Sequence, residues 1–401
     1  MAVQIIFFTI KCLTRYNRAL HKRKGFFIMA EQTIPKYDGR GIISGTYVTA
    51  NQDIDRQQWL EDCYPEWGTF LNQEIATYKV PQGQVGLWWC GGPSWVLKTD
   101  EGGIYWIDQY CGPSLYTEAV GNCGVCKQAG AKSINWLRLN PQVIDPWQFK
   151  GLDGAFITHM HQDHCDLYAV KAALKTTDAK FYAPYMACKK LKGFEVPDDR
   201  IHLARVGESV VLKGATVEFL MCYDDTAIRT TDGPDVLPYE MACVSFLFRT
   251  SAGNILFMGD TWFNDGYTQI GNDYDIDVAI ADMGFNAPGA TDKMTPYDCV
   301  RVSKALKTKV FIPDHYDNWA NCAGDPSVLP RELEYLAKDV CPDTHITIMG
   351  CGGRYVYPQD KNITRYAYPD GSEDYHFERG EVYKRIQQQH QAVSEMLKNK
   401  E

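Results

Sequence analysis

Three histidines fall within the heptapeptide Thr158–His164, which reads Thr-His-Met-His-Gln-Asp-His, although the whole chain contains only nine histidines. The preceding stretch, Gly154–Thr158, is apolar and has the composition of a buried strand. A histidine-rich surface loop is the alternative interpretation, but the buried strand that delivers the heptapeptide argues against it. The pattern H-x-H-x-D-H therefore predicts a metal site at the end of a strand.

The spacing within the heptapeptide directs four metal-binding side chains toward one cavity. His159 and His161 lie two residues apart at the strand end, so their imidazoles can converge where the strand gives way to a turn. Asp163 and His164 follow at the start of the next helix and can face the same cavity from another side. Imidazole nitrogens combined with a carboxylate suit Zn, Mn or Fe rather than Ca. We expect one or two divalent ions, Mn or Zn.

Two later strands also end in residues that bind metals. Leu256–Asp260 is an apolar run followed by Gly and Asp, and Val310–His315 ends in Pro-Asp-His. Taken alone, Asp260 would be read as a turn residue and His315 as an ordinary histidine. Together with the heptapeptide they complete a two-metal site, in which Asp260 supplies the bridging carboxylate and His315 a further imidazole.

Short apolar or alternating runs, bounded by glycines and other turn formers, predict strands along most of the chain. The predicted strands are Val85–Trp89, Trp95–Lys98, Ile104–Asp108, Gly154–Thr158, Phe181–Ala183, Arg200–Ala204, Ser209–Leu212, Thr216–Cys222, Cys243–Arg249, Asn254–Met258, Asp277–Ala281, Val310–Ile312, Ile346–Gly350 and Tyr355–Tyr357. Helices are predicted over Asp166–Lys175 and from a Thr295 cap to Leu306, with a further helical spacing in Asp55–Ala76 that is interrupted at Pro65. This order predicts an α+β fold in which two β-sheets form a sandwich covered by helices.

The first 28 residues differ in charge from the rest of the chain. Residues 1–28 contain six basic residues and no acidic one, and their apolar stretch Val3–Ile10 is too short to span a bilayer. We expect a non-native or disordered basic extension, with Met29 as the true initiator; a weak membrane-surface anchor is the alternative. We expect residues 29–401 to form a single domain, because no clean linker interrupts them.

Charge and cysteine usage restrict the partners and the compartment. Residues 29–401 carry 35 basic and 50 acidic residues, a formal charge of −15, and a body this acidic repels a phosphate backbone. We therefore expect no nucleic acid and no membrane partner. The chain has 14 cysteines without a disulfide framework, and the Cys123–Cys126 pair lies in a glycine-rich loop (residues 111–135) with no second pair to complete a zinc ribbon. These features predict a cytoplasmic protein.

H-x-H-x-D-H, then Gly-Asp, then a late strand-end histidine, resembles the pattern of the metallo-β-lactamase superfamily. More narrowly, the chain resembles the L-ascorbate-6-phosphate lactonase family over about residues 55–375. The matching segments are Tyr64–Gly68, Leu87–Trp89, Ile157–His164, Thr291–Thr295 and Pro313–Trp319. The resemblance implies an αββα sandwich of two mixed β-sheets with the metals at the sheet edge, and a homo-oligomeric assembly.

The resemblance also implies a role for each ligand. His159 and His161 would bind one metal, Asp163, His164 and His315 the other, and Asp260 would bridge. Asp108 matches the superfamily's aspartate that orients the ligand loop from behind, although a strand-end turn residue is the alternative. The superfamily usually has a third histidine on the first metal, but the only histidine in that interval, His202, lies in a context that does not match. Asp224 is a candidate to replace it or to contact substrate.

The implied reaction is metal-assisted opening of the lactone of L-ascorbate 6-phosphate to 3-keto-L-gulonate 6-phosphate. A bound metal activates a water for attack on the lactone carbonyl, and Asp163 and Asp260 are the expected catalytic carboxylates. Lys293 is the expected contact for the substrate phosphate, followed by Arg138 and Arg229, and a solvated surface lysine is the alternative for Lys293. A phosphodiesterase or ribonuclease, and a non-catalytic metal-binding protein, are the alternative functions.

Overall fold

The computed structural model describes residues 54–63, 68, 70–112, 138–228, 237–284, 293–318 and 328–366. Six consecutive strands build most of the first sheet: β1 (Val85–Trp89), β2 (Trp95–Thr99), β3 (Ile104–Ile107), β4 (Gly154–Phe156), β5 (Lys180–Ala183) and β6 (Ile201–Leu203). The first three strands pair antiparallel, while β3, β4, β5 and β6 run parallel. The first sheet is therefore mixed.

The second sheet follows along the chain. Its strands are β7 (Ser209–Leu212), β8 (Ala215–Met221), β9 (Val244–Thr250), β10 (Gly253–Phe257), β11 (Val278–Asp282), β12 (Val310–Asp314) and β13 (His345–Ile346). Strands β7 to β10 pair antiparallel, and β10 to β13 pair parallel. The last strand, β14 (Arg354–Tyr357), returns to the first sheet and pairs with β1, so each sheet has seven strands.

Eight helices occur in the described part of the chain: α1 (Arg56–Asp62), α2 (Asn72–Thr77), α3 (Leu167–Thr176), α4 (Tyr185–Gly193), α5 (Tyr239–Ala242), α6 (Gly266–Asp273), α7 (Pro296–Leu306) and α8 (Val328–Val340). The N-terminus of α7 lies where the sequence predicts it. Thr295 and Asp298 form a reciprocal capping box, and Pro296 occupies the first turn. None of the helices in these ranges is long and apolar enough to cross a membrane.

The core lies in three layers. Alternate residues of both sheets meet in the middle, where the Phe156 ring lies 5.1 Å from that of Phe246 and stacks on Tyr182. The other faces pack under helices, so Trp88 belongs to the outer layer while its neighbours Leu87 and Trp89 belong to the central one. Strands buried on both faces explain why the sequence shows continuous apolar runs rather than clean alternation.

The expected αββα sandwich is confirmed, and the strand predictions hold to within two residues at almost every end. The predicted strand Ile346–Gly350 is wrong in extent, since only His345–Ile346 is paired in the sheet and Ile348 makes an isolated bridge to Arg365. The helices α4, α5, α6 and α8 were not predicted. The basic extension, the Cys123–Cys126 pair and Arg229 lie outside the described residues.

Candidate metal centre

The ligand loop begins directly after β4. Thr158 connects the two sheets, because its carbonyl accepts a hydrogen bond from the backbone N–H of Val244 at 2.9 Å. The loop then turns tightly, with the N–H groups of His164 and Cys165 both donating to the carbonyl of His161. Asp166 caps α3 by accepting from the N–H of Ala169. The sequence therefore places four ligand-type side chains in one turn between a buried strand and a capped helix.

The first donor set, called set A, comprises His159, His161, Asp224 and Asp260. His159 Nε2 lies 2.7 Å from His161 Nδ1. The same His159 nitrogen lies 3.6 Å from Asp224 Oδ2 and 3.9 Å from Asp260 Oδ2. All four side chains are buried. Asp224 thus places a carboxylate oxygen beside His159.

The second donor set, called set B, comprises Asp163, His164, His315 and Asp260. His315 Nε2 lies 3.2 Å from Asp163 Oδ2 and 3.3 Å from His164 Nε2. Asp260 Oδ1 lies 3.2 Å from His164 Nε2 and 3.4 Å from His315 Nε2. Asp260 directs Oδ1 to set B and Oδ2 to set A, so its carboxylate lies between the two sets.

Asp108 stands behind set B at the end of β3. Its Oδ1 accepts from the Thr158 N–H at 2.7 Å, its Oδ2 accepts from the Thr158 hydroxyl at 2.6 Å, and Oδ2 lies 2.9 Å from His164 Nδ1. Because His164 Nε2 faces the donor set, Nδ1 carries the proton and donates to Asp108. Asp108 and His315 both have positive φ, 46° and 66°, a conformation that non-glycine residues rarely adopt outside special sites.

Two further buried residues support the site and were not singled out from the sequence. Asn318 Nδ2 donates to Asp163 Oδ2 at 3.0 Å, and Lys190 Nζ donates to the carbonyl of Met160 at 2.8 Å. Asn318 lies inside the Pro313–Trp319 segment, whose match to the lactonase family could have singled it out. Nothing in the sequence around Lys190 separates it from neighbouring surface lysines.

Burial and mutual charge set the protonation of the site. Burial lowers the pKa of His159 well below its usual value, and the neighbouring imidazoles lower it further. Burial alone would lower the pKa of His164 too, but the carboxylates of Asp260 and Asp108 raise it above its usual range. Burial favours protonated Asp260, yet Lys293 and His315 hold the pKa of this carboxyl well below normal. Asp260 is therefore an ionised carboxylate that can only accept hydrogen bonds.

The donors fit a divalent transition metal. His159, His161 and Asp260 offer ligand atoms within 4.8 Å of one another, and so do Asp163, His164 and His315. Imidazole nitrogens with carboxylate oxygens are the donor chemistry of Zn, Mn and Fe sites. The fully buried carboxylates also require a positive partner, because unpaired buried charge is costly.

Two of the side chains expected to contact the substrate phosphate already have partners within the protein. Lys293 is only 6% exposed, so the alternative of a solvated surface lysine is wrong, and its ammonium forms an ion pair with Asp260. Arg138 donates to the backbone carbonyls of Asn140 and Tyr110 and stacks over the Tyr110 ring. His202 packs against Tyr182 and Phe219 rather than joining either donor set.

Comparison with known proteins agrees with this geometry. A family model described as a β-lactamase superfamily domain matches residues 128–316. The protein described as "Probable L-ascorbate-6-phosphate lactonase UlaG" from Salmonella paratyphi B is 33% identical over 337 residues, covering 80% of this chain and 95% of that protein. A protein of the same description from Salmonella newport matches equally.

A solved structure supports the fold. The possible metal-dependent hydrolase from Veillonella parvula superposes with a TM-score of 0.51 at 15% identity, covering 67% of this chain and 98% of that chain. The two seven-stranded sheets and the ligands at their shared edge define a protein of the metallo-β-lactamase superfamily. Within that superfamily, the chain belongs to the UlaG-like L-ascorbate-6-phosphate lactonase family.

Proposed function

We propose that this metallohydrolase opens the lactone ring of L-ascorbate 6-phosphate to give 3-keto-L-gulonate 6-phosphate. The observation that carries the proposal is the pair of donor sets sharing Asp260, found in a chain that matches lactonases over 95% of their length. Mn and Zn are the candidate metals, with set A and set B as their ligands. A divalent metal in such a site supplies Lewis acidity that activates a water and polarises the carbonyl.

Asp163 is the candidate for handling the proton of the attacking water. Burial raises the pKa of its carboxyl, but His164 and His315 outweigh burial and hold that pKa well below its usual value. The carboxylate is therefore ionised at neutral pH and can accept a hydrogen bond from water. Asn318 and His315 fix its orientation from two sides. Asp163→Asn protein that is still metal-loaded should lose most of kcat; unchanged kcat with metal retained would remove Asp163 from this role.

The substrate phosphate requires a cationic contact. Lys293 and Arg138 are both engaged within the protein, Lys293 with Asp260 and Arg138 with backbone carbonyls. Arg229 is therefore the candidate to test first. Arg229→Gln should raise KM for the phosphorylated lactone and leave KM for a neutral lactone unchanged. Equal changes for both substrates would argue against a phosphate contact at this position.

The deciding experiment follows the ene-diol absorbance of L-ascorbate 6-phosphate with protein reconstituted with Mn or Zn. We expect turnover in the wild type, loss of turnover in His161→Ala, and retention in His202→Phe, a matched histidine variant outside the donor sets. Metal-loaded protein that leaves this lactone intact but cleaves bis(p-nitrophenyl) phosphate would support the phosphodiesterase alternative. Metal-loaded protein that cleaves neither would overturn the lactonase proposal.

A further inference from the structure

The two oxygens of Asp260 have different surroundings. Oδ1 faces the imidazoles of set B, at 3.2 Å from His164 and 3.4 Å from His315. Oδ2 faces set A, where His159 Nε2 lies 3.9 Å away, and the same oxygen carries the ion pair with the Lys293 ammonium. A positive charge therefore already lies on the oxygen that set A would use.

The fold holds this ammonium in place. The aliphatic part of Lys293 runs along Gly284, where an added Cβ would lie 3.0 Å from Lys293 Cγ. On either side of this contact, the Gly284 N–H donates to the Met294 carbonyl, and the Met294 N–H donates to Asp282. Lys293 is only 6% exposed, so water does little to screen its charge from Asp260.

The two sets also differ in the donor atoms that they offer to a metal. Set B combines two imidazoles with Asp163 and one oxygen of Asp260, and the Lys293 ammonium pairs with the other oxygen of Asp260, Oδ2. Set A has two imidazoles and Asp224 and lacks a third imidazole. The three carboxylates of the two sets carry three negative charges, which one divalent ion and one lysine balance.

From these contacts we infer that Lys293 is a built-in cation that makes set A the weaker metal site. The chain binds one divalent ion tightly at set B, and a second ion at set A must share Asp260 Oδ2 with the Lys293 ammonium. This assignment concerns metal binding alone, and it holds whichever lactone or phosphodiester the protein cleaves.

The test is a titration of chelator-stripped protein with Zn²⁺, followed by calorimetry and by metal analysis after desalting. For the wild type we expect one tight equivalent and a second that binds at least about tenfold more weakly, because like charges a few ångströms apart repel strongly in a buried site. Lys293→Met should tighten the second equivalent by about tenfold or more and leave the first unchanged. Two wild-type equivalents of equal affinity, or an unchanged second equivalent in Lys293→Met, would overturn the inference.

Lys98→Met is the matched control, since it removes another buried ammonium, one that donates to the carbonyls of Ile75 and Ala76 rather than to the ligand loop. It should leave the second equivalent as in the wild type. If Lys293→Met does not fold, as judged by circular dichroism, two ligand variants decide the matter. His315→Ala should lose the tight equivalent and Asp224→Asn only the weak one; the reverse assignment would refute the inference. None of these readouts depends on activity, so failure here is distinguishable from failure of the proposed reaction.

Discussion

Replacing Asp108 by Asn would show how far the site depends on a residue that does not itself bind the metal. Asparagine tolerates positive φ as well as aspartate does, so the backbone at φ 46° should be unaffected. The amide can keep one oxygen on the Thr158 N–H, which then turns its NH₂ group toward Thr158 Oγ1 and His164 Nδ1. The threonine hydroxyl can rotate to accept, but the imidazole N–H loses its acceptor.

The size of the effect follows from these contacts. Loss of a carboxylate behind a ligand histidine typically weakens metal binding tenfold to a hundredfold, or about 1.4–2.7 kcal/mol. A buried donor left without an acceptor adds about 1–3 kcal/mol of destabilisation to the fold. We therefore expect Asp108→Asn to bind Zn²⁺ about tenfold to a hundredfold more weakly, measured by competition with a chromophoric chelator at pH 7.5.

Asp166→Asn is the matched control. It removes a similarly buried carboxylate two residues from His164, but Asp166 accepts from the N–H groups of Ala169 and Cys111 and contacts no ligand imidazole. Asparagine is also an equivalent N-cap. Its metal affinity should stay within about threefold of the wild type. Equal weakening in both variants, or no weakening in Asp108→Asn, would show that the contact to His164 does not govern metal binding.

Three further predictions concern residues that belong to neither donor set. Asn318→Ala removes the donor to Asp163, so kcat should fall about tenfold to a hundredfold with little change in KM, as measured by steady-state kinetics. An unchanged kcat would show that this hydrogen bond does not contribute to catalysis. Trp95→Phe removes the indole N–H that donates to Asp314 at 2.8 Å, and denaturant titration should show a loss of about 2 kcal/mol, with a loss under 0.5 kcal/mol counting against the bond. Burial lowers the pKa of His202 below 6.5, so the unfolded chain binds the proton more tightly and stability falls as pH drops below 6.5. His202→Phe should lose less stability than the wild type between pH 7.5 and 5.5 in chelator-stripped protein; an identical pH dependence would contradict this.

The sequence predicted the site well where ligands follow strands directly. H-x-H-x-D-H, Asp260 and His315 each come at or just after the end of an apolar run. The parallel strands β10 to β12 bring Asp260 and His315 to one edge of the second sheet, and the heptapeptide follows β4 of the first sheet. The α7 cap was equally readable, because capping depends on neighbours within three residues. Local patterns therefore gave the sheets and most ligands.

Contacts between residues far apart in the sequence could not be predicted from local patterns. Lys293 lies 33 positions from Asp260, and Asn318 lies 155 positions from Asp163, so no local spacing relates either pair. A buried lysine also has the same sequence signature as a solvated one, and for this reason Lys190 was overlooked. Helix α8 is a different case, since Leu329, Leu333 and Ala337 recur every four residues and form a buried stripe that periodicity could have shown.

The return of β14 to the first sheet has a consequence for biosynthesis. Strand β1 is complete at Trp89, but the partner for its outer edge, β14, ends at Tyr357. At about 5–20 residues per second, a ribosome takes roughly 13–54 s to make the intervening chain. During that interval the backbone groups on the outer edge of β1 have no strand to pair with. Such exposed edge strands are prone to pair with other chains. The outer edge of β1 therefore stays open to pairing with other chains until the last strand emerges.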